Sequence, residues 1–242
     1  MKFFSSKADD YYDNGMRDFP TAVRAGYAVV LGILYAFTKI MWRCSFDNIE
    51  KFLDRRDKTG IVIISNHTSM AEVVAIVVLL WRRGRLVRPI FKSEFSKSSI
   101  VEWFFARVGG IPVERGTADM KSLRRASKAL GRGEDILIFP EGTRIRTDDQ
   151  PVEVHGGFAI IAQMGKAPVM PMAVCGFRDI TPKGHHLMRP VKCWMRFGEA
   201  LSMDDAPADL KRRERTDWVE KEALRRMYEI RDILRNEHPG RR

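Results

Sequence analysis

Short apolar runs that alternate with helical patterns constrain this chain most. Residues 61–64 (Ile-Val-Ile-Ile), 136–139 (Ile-Leu-Ile-Phe) and 169–175 carry almost nothing polar. Runs this short and continuous suit strands buried on both faces, which occur in parallel sheets covered by helices. Residues 86–91, 111–114 and 191–197 are further strand candidates. Helical patterns lie over 96–107, stopped by Gly109-Gly110, and over 117–130, with Asp119 early and Gly131 just past the end. Others cover 158–164 and 218–235, where Val219, Ala223, Met227, Ile230 and Leu234 recur at helical spacing. Residues 71–81 are apolar and β-branched, and periodicity alone does not decide their state. The expected fold is α/β: a mixed, mainly parallel sheet covered by helices.

The start of the chain has another character. Residues 1–14 are polar and read as loosely held, with no secretory signal. Residues 19–43 read as one or two helices, with Pro20 near a helix start. The fourteen residues 25–38 carry no charge, short of the roughly 20 that span a bilayer. Arg24, Lys39, Trp42 and Arg43 flank them, and few polar positions interrupt any face. The segment is expected to associate with a membrane interface, cations and indole at headgroup depth. The alternative is a helix packed on the protein's own core. A boundary near residues 44–48 then separates an N-terminal helical membrane-associating segment (1–45) from an α/β domain (46–242).

Forty-two Lys and Arg stand against 31 Asp and Glu, a net charge of +11. Such an excess calls for an anionic partner. The cations are spread along the chain without a nucleic-acid-binding signature, so nucleic acid is not the expected one. Cys44, Cys175 and Cys193 have neither a disulfide framework nor metal spacing and read as buried, inert thiols in a reducing, cytosolic setting. His185-His186 and His238 read as loop and terminal residues, and no metal is expected.

Chemistry concentrates where strands end. The run 61–65 leads directly into Asn66-His67-Thr68-Ser69-Met70-Ala71-Glu72. Inside one helix, His67 and Glu72 would point about 140° apart and could not meet. They meet only if His67 stays in the loop and Glu72 enters the first helical turn. Ser69-Met70-Ala71-Glu72 offers that break, because it fits a capping box. Capping is also the plain structural role of Glu72. The strand 136–139 runs into Pro140-Glu141-Gly142-Thr143-Arg144, a turn whose amides and guanidinium can hold an anion. Arg115 follows Gly110-Ile111-Pro112-Val113-Glu114, and Lys92 follows the strand at 86–91. A histidine and three cations thus stand just beyond strands, where α/β sheets gather ligands.

This combination resembles the glycerolipid acyltransferase family, the PlsC-type lysophosphatidic acid acyltransferases, over residues 48–201. Residues 66–72, 110–115, 139–144 and 169–174 are similar to its four blocks in order, and Lys92-Ser93-Glu94-Phe95 to a lysine segment between the first two. The resemblance implies that His67 is the general base on an acceptor hydroxyl and that Glu72, where the family usually has Asp, orients it. It implies that Lys92, Arg115 and Arg144 contact the acceptor phosphate, and that Glu141, Gly142 and Thr143 shape its site. The implied reaction moves a fatty acyl group from acyl-CoA or acyl carrier protein to lysophosphatidic acid, giving phosphatidic acid on the cytoplasmic face of the membrane. The protein would be peripheral or monotopic there. A thioester is already activated, so no cofactor is expected. Glycerol 3-phosphate, another lysolipid or an acylated amino acid are alternative acceptors. The alternative of another class is a non-catalytic basic module on anionic membrane or nucleic acid.

Overall fold

β2 (Val62–Ser65) is buried at every residue and occupies the middle of the sheet. Side chains of a strand alternate between faces. Ile61 and Ile63 therefore enter one apolar cluster and Val62 and Ile64 another, one on each side of the sheet. The computed structural model describes residues 4, 7–54, 59–94, 98–114, 119–182, 184–185 and 187–239. Among these, the other strands are β1 (Ser45–Asp47), β3 (Val87–Lys92), β4 (Ile111–Val113), β5 (Asp135–Ile138), β6 (Val169–Cys175) and β7 (Trp194–Phe197). Their order is β1-β7-β6-β2-β5-β3-β4. Every neighbouring pair is parallel except β6 with β7. The mixed, mainly parallel α/β sheet is the fold expected above.

The helices are α1 (Ala8–Asp13), α2 (Thr21–Met41), α3 (Glu50–Leu53), α4 (Met70–Trp81), α5 (Ser99–Arg107), α6 (Met120–Gly131), α7 (Gly157–Gly165) and α8 (Arg212–Glu237). α4 covers one face of the sheet with α2 outside it; α6, α7 and α8 cover the other. The undecided stretch 71–81 is helical, since Ser69 caps it in a capping box with Glu72 and it runs 12 residues. The candidate strand 191–197 shortens to β7. The amides of Val191 and Cys193 instead donate to the carbonyls of Met41 (3.0 Å) and Trp42 (3.0 Å). Cys44 and Cys193 are buried and Cys175 is only half-buried; all three are free.

Two readings of the chain's start are corrected. Of the stretch 1–14, residues 8–14 are not loose, and residues 1–3 and 5–6 lie outside the described residues. Tyr11, Tyr12, Met16 and Phe19 are buried with Ala106 of α5. The wholly buried Arg88 donates to the carbonyls of Tyr11 (2.7 Å), Asn14 (3.1 Å) and Gly109 (2.8 Å) and pairs with Glu134 (3.3 Å). Arg125 binds Asp13 (2.7 Å) and Asp9 (2.5 Å). Trp42 is not at a surface either: it is buried in the α2–α4 cluster, edge-on to Phe37 at 5.2 Å.

Residues 19–43 hold one long helix, with Pro20 at the N-cap position. α2 runs 21 residues, and among the described residues it is the one helix long and apolar enough to cross a membrane. Leu31 and Thr38 face inward, while Val29, Ile33 and Ile40 are 63%, 66% and 74% exposed.

Candidate active site

Parallel pairing brings the ends of β2, β5, β3 and β4 to one edge of the sheet. That edge carries His67 after β2, Glu141 to Arg144 after β5 and Lys92 at the end of β3. Arg115, expected beyond β4, lies outside the described residues.

His67 stays in the loop and Glu72 sits in the first turn of α4, the arrangement their spacing required. His67 Nδ1 lies 2.6 Å from Glu72 Oε1. Glu72 is fully buried and accepts three more hydrogen bonds: from Thr68 N (2.7 Å), Thr68 Oγ1 (2.7 Å) and Ser69 N (3.1 Å). The carboxylate therefore caps α4 and holds the imidazole at once. With the carboxylate ionised, only Nδ1 can supply the proton of this contact, and an imidazole that carries its one proton there leaves Nε2 free to accept. Phe139 stacks on the ring, centroids 4.3 Å apart, and fixes its plane.

The loop is braced from β5 and β6. His67 N donates to Glu141 Oε2 (2.7 Å), and His67 O accepts from Ile145 N (2.7 Å). The Asn66 side chain pairs with the Val174 backbone in both directions (2.9 and 3.2 Å). Glu141 is buried, and burial raises its carboxyl above the usual value, with the negative Glu72 adding to the effect. The Tyr228 hydroxyl of α8 bears on this carboxylate but, among the described residues, finds no partner in hydrogen-bonding geometry. Burial first and Glu141 second push Tyr228 up to about 12. Gly142 has φ +59°, a conformation that favours glycine, and it turns the chain so that exposed Thr143 and half-buried Arg144 follow. Among the described residues, neither the Lys92 nor the Arg144 side chain has a hydrogen bond or ion pair.

Asn66, Thr68, Phe139 and Tyr228 join the site beyond the residues that the sequence predicts for it. Asn66 and Thr68 lie within the same run as His67, which is the sequence signal that marks them. Tyr228 is far away in the chain, and only the packing of α8 reveals it. Among the described residues, no three His, Cys, Asp or Glu side chains gather as metal ligands.

The sequence profile of the acyltransferase family matches residues 44–175, more than half of the chain. A 1-acyl-sn-glycerol-3-phosphate acyltransferase of Bacillus subtilis is 29% identical over 176 residues, 73% of this chain and 83% of the relative. A lyso-ornithine lipid O-acyltransferase of Pseudomonas aeruginosa is 28% identical over 123 residues, 49% of this chain and 44% of the relative. The crystal structure of the 1-acyl-sn-glycerophosphate acyltransferase PlsC from Thermotoga maritima shares the fold, with a TM-score of 0.60 at 21% identity, covering 89% of this chain and 85% of that one. The chain thus belongs to the acyltransferase family and is an acyl-transferring enzyme.

Proposed function

We propose that the enzyme moves a fatty acyl group from a thioester donor, acyl-CoA or acyl carrier protein, to the free hydroxyl of lysophosphatidic acid, giving phosphatidic acid. One observation carries the reading. A histidine held at 2.6 Å by a buried carboxylate shares a sheet edge with two cations that have no protein partner among the described residues. A hydroxyl is a poor nucleophile until a base removes its proton during attack. Nε2 of His67 takes that proton as the hydroxyl oxygen bonds to the thioester carbon. The tetrahedral intermediate then expels sulfur, and the imidazolium returns the proton to the leaving thiolate. Glu72 keeps the ring in one tautomer and stabilises its charged form. Lys92 and Arg144, with Arg115, hold the acceptor's phosphate, which supplies the proximity a bimolecular step needs. Gly142 and Thr143 shape the acceptor site, and Glu141 fixes its floor through the His67 amide. No residue is acylated and no metal or cofactor is required, because the thioester is already activated.

The place of reaction is proposed as the cytoplasmic face of a membrane, with α2 in lipid and the protein peripheral or monotopic. Free thiols suit a reducing compartment. The lyso-ornithine lipid relative makes another lysolipid the acceptor to test against.

Release of thiol from acyl-CoA, measured against a panel of acceptors, tests the reading. It should depend on lysophosphatidic acid and run slower with glycerol 3-phosphate or a lysolipid without a phosphate monoester. His67→Ala should lower turnover by roughly a thousandfold with Tm nearly unchanged. Arg144→Ala should raise KM for the acceptor far more than for the donor. Faster turnover with a phosphate-free acceptor would replace the substrate, and a fully active His67→Ala would replace the mechanism.

A further inference from the structure

α5 is apolar on both sides, although it lies near the edge of the sheet. Inward, Ala106 is fully buried and Phe105 stacks on Phe91 with centroids 4.5 Å apart. Outward, Ile100, Trp103 and Phe104 are 78%, 54% and 45% exposed. Their spacing places them together on one helical face. The Arg107 guanidinium lies 4.4 Å from the centre of the Trp103 ring and donates to the Trp103 carbonyl (3.1 Å). A contiguous apolar face bordered by a cation marks an interaction site rather than ordinary surface.

The position of α5 indicates what covers that face. α5 links the parallel neighbours β3 and β4, and the right-handed rule for such crossovers puts it on the same side as α4, and so as α2. The clusters agree: Ala106 of α5 shares one with Phe19 of the N-terminal segment, Val23 and Tyr27 pack against that cluster, and Tyr27 also packs against the α2–α4 cluster. Two helices distant in sequence therefore both leave apolar side chains bare on one side of the molecule. Arg24, Lys39, Arg43 and Arg107 border these faces. Apolar residues with tryptophan and a basic margin suit the boundary of an anionic bilayer.

We propose that Ile100, Trp103 and Phe104 form a second lipid contact beside α2, entering the same anionic bilayer surface. The proposal rests on the reading that α2 sits in lipid. One embedded helix leaves the domain free to roll about that helix, whereas a second contact off its axis stops the roll. α5 starts just past the carboxyl end of β3, so seating it brings the edge that carries Lys92 and His67 toward the lipid.

The test uses the full chain and vesicles of phosphatidylcholine with phosphatidylglycerol. Lipids brominated along their acyl chains should quench tryptophan emission of the intact protein, and Trp103→Phe should remove most of the quenchable part. The double variant I100S/F104S should weaken vesicle binding about a hundredfold, as loss of two buried apolar side chains predicts. It should slow turnover on vesicle-borne acceptor while leaving turnover on detergent-dispersed acceptor unchanged. If Trp103→Phe keeps the parent's quenching, or I100S/F104S keeps its vesicle affinity, α5 is not in lipid while the seat of α2 stands. A parent dimer that I100S/F104S dissociates would give this face to a second copy of the chain and overturn the lipid contact. An intact chain that ignores vesicles overturns both membrane readings, and turnover on dispersed acceptor then still tests acyl transfer by itself.

Discussion

Glu72 shows how one side chain settles both a helix start and a reaction. By spacing, its capping and catalytic roles look separable, so that a glutamine could keep the first and lose the second. The structure joins them. Four donors converge on a carboxylate with no exposure, each oxygen taking two. A glutamine offers one acceptor oxygen and turns an NH2 group toward other donors. Glu72→Gln is therefore expected to lower turnover about a hundredfold and also to cost about 1–2 kcal/mol, measured by kinetics and denaturant unfolding on one sample. A stable but slow variant would separate the roles again. The extra methylene relative to the family's usual Asp is accommodated, since Oε1 still reaches Nδ1 at 2.6 Å.

At the scale of elements, the N-terminal segment is held by a buried polar clasp rather than by secondary structure. α1 is six residues long, too short to persist alone. Arg88 binds the carbonyls at Tyr11 and Asn14, and Glu134 accepts from the Met16 amide while pairing with Arg88 and Arg132. Removing one member leaves a buried charge without its partner, which costs about 3–5 kcal/mol. Arg88→Ala should lower stability by about that amount and open residues 8–19 to proteolysis before the sheet unfolds. Limited proteolysis followed by mass spectrometry reads the order. Parent-like resistance at residues 8–19 would mean that the aromatic cluster of Tyr11 and Phe19 holds the segment without the clasp.

Across the whole molecule, charge and apolar surface have different consequences. The net charge of +11 attracts anionic membrane, but attraction between exposed charges fades as salt rises. The bare sides of α2 and α5 are apolar, and burial of apolar surface resists salt. The intact chain should therefore stay with membranes through a wash at about 1 M salt, where screening reaches about 3 Å, and come off in detergent. Complete release by salt alone would show that charge, not α2, holds the protein to lipid. The face with α6, α7 and α8 lies across the sheet from α2, so it points to water when α2 is seated.

The alternation of apolar runs and helical patterns, read along the chain, was enough for the α/β class and for most strands and helices. It was also enough to keep His67 and Glu72 in different local states, because a capping box acts within four residues. These signals are local, and each carries its own geometry. The tertiary structure decided what depends on distant partners. It brought Glu141 to the His67 amide, Val174 to Asn66 and Tyr228 beside Glu141. It drew residues 8–19 and Trp42 inward and formed β1 against β7. None of these has a periodic or capping signature, since a contact across many residues depends on how the sheet closes. The same reason explains α2: its sequence is apolar enough for lipid or core, and packing on α4 chose which side each residue faces.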